Sequence, residues 1–285
     1  MKLIHLSMNK RGIRFFRKLK EYLSEDVLAF YEKYVKKGEF LHRLQTAKSS
    51  YDMVLISAHG SEGAIILPIK PNNPNQKFRA YINKDETTAF KNKFVFAVSC
   101  QTANEFGKAS VDNGALSYLG YEVYIESIFQ PDYPHISNRV AENFSIIFKR
   151  IFMKELSYCI GEFTRDICTV EKFRQLFTYR FDKSITELSE MDSDQIFEKF
   201  QVRIYNHHLR KYAPELFVNY LKDIEEIGRR LVIVGDPNFI SDNFIKCWRG
   251  QGMSVHEIKR RLLASPAFGS IIAEDYKNYL ISVLK

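Results

Sequence analysis

Hydrophobic and polar positions alternate along the first half of the chain in a way that predicts strands and helices in turn. Leu3 to Ser7 is a short apolar run. It is followed by Ile13, Phe16, Leu19 and Leu23, whose spacing of three and four predicts an amphipathic helix with Arg14, Arg17, Lys18 and Lys20 on its wet face. Asp26 to Val35 suits helix or strand by period alone and is assigned to strand, and Glu39 to Ala47 reads as a helix. Met53 to Ser57 (MVLIS) and Lys93 to Ser99 (KFVFAVS) are continuous apolar runs of the kind found in strands buried on both faces. Between them, Ala64–Ile69 and Phe78–Ile82 flank the turn-rich KPNNPNQ and predict a hairpin, with a short helix at Asp85–Lys91. Thr102–Val111 reads as a helix and Tyr121–Ile125 as the next strand, so the order predicts an α/β fold: a mostly parallel sheet with helices on both faces.

After Pro131 and Pro134 the period becomes helical. Ile136, Val140, Phe144, Ile147 and Ile151 mark a long helix, and helical spacing continues to about residue 228, with breaks near Asp182–Ser193 and Pro214. One strand is expected in this half, at Arg230–Val234, ending in the turn Gly235-Asp236-Pro237-Asn238; Ser254 and Glu257 form a capping box for a later helix. Residues 1–135 are therefore expected to form an α/β core and residues 136–285 a mainly helical region packed on it.

Composition narrows the class. With 285 residues, 45% of them apolar, the chain can bury a core and lies outside the disordered class. The net charge is +8, and the first 50 residues carry 12 Lys/Arg against 5 Asp/Glu, so the basicity is local. The run Arg11 to Lys20 could attract a polyanion, yet no nucleic-acid-binding pattern accompanies it, and a solvated helix face is the simpler reading. No run approaches the roughly 18 apolar residues of a membrane helix, and Leu3–Met8 is too short for a signal-peptide core, which points to a cytoplasmic protein without a membrane partner. The four cysteines form no C-x-x-C pair. His207 and His208, adjacent on a helix, should diverge by about 100°, and His135 and His256 lack neighbouring ligands, so neither metal nor cofactor is expected.

The two central apolar strands each end in a reactive side chain: Ser57-Ala58-His59-Gly60 closes the first and Ser99-Cys100-Gln101-Thr102-Ala103 the second. The carboxyl ends of adjacent parallel strands line one crevice, so residues 41 positions apart can converge there. Cys100 is expected to begin a helix, whose dipole would favour the thiolate, and the N–H groups of Gly60 and Cys100 to form an oxyanion site. Cys159, Cys168 and Cys247, without such a setting, read as core residues.

Over most of residues 1–135, this order of elements, with His-Gly closing one apolar strand and Ser-Cys-Gln-Thr-Ala the next, resembles the caspase-like cysteine peptidases, in particular the bacterial CHAT branch. The resemblance implies a catalytic dyad of His59 and Cys100. Tyr124–Asp132 (YIESIFQPD) resembles that family's aromatic and acidic pocket loop, with Phe129 at the aromatic position, although Glu126 departs from the small residue usual there. Asp132, with Glu126 as second choice, would then bind a Lys or Arg before the cut; Asp132 also suits the middle of a β-turn. The family further implies a cytosolic endopeptidase with protein substrates, latent until a partner or signal switches it on, in a bacterial stress or antiphage response. Arg229, Arg230 and the Arg11–Lys20 face could receive an anionic ligand or an acidic partner, although surface solvation is the simpler role for each. The other reading is a catalytically inert module of the same fold that uses its basic helix as a contact surface.

Overall fold

The computed structural model describes residues 3–7, 14–23, 31–33, 37–46, 51–68, 78–125, 138–212, 214–215 and 230–285. Its centre is a six-stranded sheet of β1 (Leu3–Ser7), β2 (Tyr31–Lys33), β3 (Met53–Ser57), β7 (Phe94–Val98), β8 (Ser117–Tyr121) and β9 (Leu231–Gly235), in the order β2-β1-β3-β7-β8-β9. The first five run parallel, and β9 closes the edge antiparallel to β8. A separate antiparallel sheet, β4 (His59–Ser61), β5 (Ala64–Pro68) and β6 (Phe78–Asn83), projects between β3 and β7 in the chain. The fold is thus mixed α/β with a mostly parallel sheet.

Strand alternation sends successive side chains to opposite faces, and each face has its own cover. On one face Phe94 packs on Phe163 at 5.2 Å between ring centroids and Phe96 packs on Phe173 at 5.6 Å. These partners lie on the long helix α3 (Asn138–Arg165) and on α4 (Val170–Ser189). The 3-10 helix η1 (Arg14–Glu21) joins this layer through Phe16, edge-on to Phe152 of α3. On the other face Tyr118, in register with Val95, meets Phe106 of α2 (Glu105–Asp112) at 6.1 Å. Phe106 in turn meets Phe90 of the 3-10 helix η2 (Lys84–Phe90), and α1 (Lys37–Thr46) buries Phe40 and Leu44.

Several elements differ from expectation. The strand expected at Tyr121–Ile125 is four residues earlier, because β8 pairs with β7 from Phe94↔Ser117 and along its whole length with β9. The break expected near Asp182–Ser193 is confined to residues 190–192: Ser184 turns its hydroxyl to Glu155 instead of its own backbone, and α4 continues to Ser189. Asp192 then caps α5 (Ser193–Phe200), accepting from the N–H groups of Asp194 and Gln195. Ser254 accepts from the Glu257 N–H at the start of α7 (Val255–Ala264), but the Glu257 carboxylate accepts from Arg260 and Arg261 rather than closing the expected box. The C-terminal residues add α6 (Asn243–Gly250), α8 (Pro266–Gly269) and α9 (Glu274–Ser282). Asp236, buried after β9, accepts from the N–H groups of Asn238 and Ile272 and is therefore a turn and docking residue.

The helical layer is locked by one polar cluster. Glu155 of α3, with a side chain 2% exposed, accepts from Arg180 Nε at 2.6 Å and from Ser184 Oγ at 2.9 Å, both on α4. Arg180 also lies over the Tyr158 ring at 3.7 Å. Losing the guanidinium from a buried pair costs about 3–5 kcal/mol, and the partial exposure of Arg180 places this case at the lower end. Arg180→Met is therefore expected to lower the unfolding free energy in urea by about 3 kcal/mol, and the double variant Glu155→Leu/Arg180→Met to recover most of that loss. A single variant within about 0.5 kcal/mol of the parent would show that the cluster does not hold the layer.

Candidate active site

β3 and β7 pair in parallel with Ser57 opposite Val98. His59 and Cys100 each lie two residues beyond that pair, so both leave the sheet at the same height, at the carboxyl ends of neighbouring strands. The Ala58 N–H donates to the Val98 carbonyl at 3.4 Å and holds the two exits together. Beyond it the chain enters β4, a strand not foreseen from the pattern, and His59 therefore sits at the corner between the two sheets. His59 and Cys100 are 8% and 6% exposed, at the margin of the core.

Gly60 makes the approach possible. A Cβ at Gly60 would stand 2.3 Å from Ser99 Oγ, 2.4 Å from the Cys100 carbonyl oxygen and 2.5 Å from Thr102 Cγ2. The first of these could swing away; the carbonyl is backbone and cannot. Any larger residue would push the His59 corner off the Cys100 turn.

That turn is itself tightly held. Cys100 does not begin a helix: Gln101 adopts φ +57°, in the left-handed region, and α2 starts only at Glu105. The helix dipole is thus displaced from the sulfur. A backbone group is directed at it instead: the Ile125 N–H donates to Cys100 Sγ at 3.3 Å. A donor aimed at sulfur favours the charged thiolate over the thiol. The Gln101 N–H donates to Val123 O and the Ala103 N–H to Tyr121 O, both at 3.1 Å, so residues 121–125 lie along the whole turn. On its other side the Phe106 N–H donates to Glu62 O at 2.6 Å, and Lys84 pairs with Glu105 at 2.9 Å, joining the β4–β5 corner to the start of α2.

Beneath the corner His5 of β1 is fully buried and shares a 2.7 Å hydrogen bond with Ser57 Oγ. Neither His5 nor the Ile125 amide was singled out from the sequence. The first is a lone polar residue in an apolar run, a signal that could have been read; a backbone amide carries none.

The other candidates separate. Gly60 and Cys100, assigned to an oxyanion site, are in direct contact as described. Glu126, Phe129, Asp132, His135 and Arg229 lie outside the described residues. His207 and His208 do not diverge: their ring centroids are 3.9 Å apart, because His207 turns back onto Tyr205 in the first turn of the helix, at 5.8 Å. The His208 pKa is lowered by burial and by the neighbouring His207 and Lys211 charges. Among the described residues no group of three or more His, Cys, Asp or Glu side chains is arranged to hold a metal ion, and no helix is long and apolar enough to cross a membrane. Burial pushes the Cys159 thiol far up and that of Cys168 up to about 11, which makes both poor nucleophiles.

No protein-family model matches the chain, and no curated protein matches it either.

The close approach at Gly60 can be measured. Gly60→Ala is expected to cost about 1–3 kcal/mol in chemical denaturation, as overpacking does. Gly63→Ala, whose new Cβ would meet the movable side-chain atoms Glu105 Oε2 at 3.3 Å and Lys84 Cδ at 3.9 Å, is expected to be neutral or slightly stabilising. Equal effects for the two variants would contradict the contact.

Proposed function

We propose that this chain is a cysteine endopeptidase of the caspase-like, CHAT-related type, acting on protein substrates with Cys100 as nucleophile and His59 as its acid–base partner. The observation that carries the reading is the shared height of His59 and Cys100 on paired strands, with Gly60 against the Cys100 turn and a backbone N–H directed at the sulfur. Supporting it, the described thiols of Cys159 and Cys168 are shifted away from reactivity by burial.

In this reading the Cys100 thiolate attacks the scissile carbonyl carbon, and the oxyanion that forms is held by the N–H groups of Gly60 and Cys100. Collapse of the tetrahedral intermediate breaks the C–N bond; protonated His59 gives its proton to the leaving amine, and a thioester to Cys100 remains. Neutral His59 then takes a proton from water, whose oxygen attacks the thioester; the acid product leaves and the thiolate and imidazolium return. Asp132, with Glu126 as second choice, is assigned to the pocket for a Lys or Arg before the cut. The peptidase belongs to the cytosol and stays latent until a partner protein or an anionic signal shifts it to the active arrangement, in the setting of a bacterial stress or antiphage response.

Cys100→Ala and His59→Ala, each checked for native circular dichroism, are expected to lower cleavage of a broad protein substrate by about 10³-fold or more when assayed with extract from stressed cells. A natively folded variant that still cuts at the parent rate would overturn the assignment. Absence of Cys100-dependent cleavage in the parent under every such condition would favour the inert module.

A further inference from the structure

Away from the His59–Cys100 corner, η1, α3, α4 and α5 enclose a cavity of about 1140 Å³. Sites for drug-sized ligands span about 300–1,000 Å³, so this one exceeds what a single small anion needs. Its lining is strongly one-sided in charge: Arg17, Lys18, Lys149, Arg150, Lys154 and Lys199 face one carboxylate, Glu21. Two of the six already lean on acids, Lys154 on Glu155 at 3.8 Å and Lys199 on Glu187 at 3.4 Å. With both discounted, and Lys149 left aside, Arg17, Lys18 and Arg150 still outnumber the single acid.

The rest of the lining is apolar and aromatic, with Phe15, Tyr22, Ile146, Met153 and Phe200 among its walls. Arg150 is fixed in place by donating to the Phe200 carbonyl. Arg17 Nε is buried and finds no hydrogen-bond acceptor among the described residues. Ile146 and Arg150 also line a second cavity of about 420 Å³, to which Arg139 and Arg203 add further positive charge.

We propose that this cavity binds an organic polyphosphate bearing an aromatic ring, of the nucleoside polyphosphate class. Multiple phosphoryl oxygens match a field of Lys and Arg donors. A planar ring suits the Phe15, Tyr22 and Phe200 surfaces, which no purely inorganic anion would use. The site gives the anionic signal of the proposed function a place in the fold, but its occupancy does not depend on Cys100 chemistry.

The test is calorimetric titration of the full chain with ATP, tripolyphosphate and a ten-residue oligoglutamate at fixed salt. ATP is expected to bind saturably and to weaken as salt rises. Tripolyphosphate, lacking the ring, is expected to bind more weakly than ATP. Lys18→Glu, at an exposed side chain, is expected to weaken ATP by about tenfold or more with an unchanged thermal midpoint. No saturable ATP binding, or an unchanged ATP affinity in the folded Lys18→Glu variant, would overturn the proposal. So would equal affinity for tripolyphosphate, which leaves a plain anion site, or tighter binding of oligoglutamate, which would make it a peptide groove. Because the readout is binding in either parent or Cys100→Ala protein, failure here and failure of the peptidase reading are separable.

Discussion

Contact between Gly60 and the Ser99–Thr102 turn is the constraint on which the site depends. Two parallel strands deliver His59 and Cys100 to one level, but strands about 4.8 Å apart do not by themselves bring their following loops into contact. The missing Cβ lets the backbone after His59 lie on the Cys100 carbonyl, where any side chain would overlap it. The hairpin sheet β4–β5–β6 then has to leave at a sharp angle, and its corner is tied back by Glu62 to Phe106 and by Lys84 to Glu105.

The remaining parts hold that corner still. β3 and β7 are central strands, buried on both faces, with the Phe94 and Phe96 side covered by the aromatic layer of α3 and α4 and the Tyr118 side by α2. Functional groups mounted on such strands keep their geometry better than groups on free loops. The left-handed Gln101 stops the helix from starting at Cys100 and aligns the turn with residues 121–125, which brings the Ile125 N–H to the sulfur. A helix beginning at Cys100 would have offered the end of a dipole; the observed turn brings a directed hydrogen bond from the Ile125 N–H.

Much of this was legible in the chain. β3 and β7 are short apolar runs because they are buried on both faces, β1 is one interrupted by His5, and the hairpin was marked by its Pro/Asn turn. β8 was not, because Ser117 and Gly120 interrupt its apolar character and the more apolar Tyr121–Ile125 drew the assignment. The start of α2 was misread since Thr102 and Ala103 tolerate helix, and nothing in a Gln announces φ +57°. Of the site, His59, Cys100 and Gly60 could be named from residue type and position; Ile125 could not, since its contribution is a main-chain group. The breadth of the cationic cavity was also hidden, because Lys149, Arg150, Lys154 and Lys199 are scattered over two helices and join Arg17 and Lys18 only in the folded chain.

The most direct test of the central claim, that His59 and Cys100 act as a pair, is the pH dependence of Cys100 alkylation by iodoacetamide, followed site by site by mass spectrometry in the parent and in His59→Ala. The account predicts that Cys100 reacts rapidly well below the ordinary thiol range of about 8.5, and that the His59 variant moves its profile up towards that value. A parent profile that already matches a free thiol and does not move when His59 is removed would contradict it.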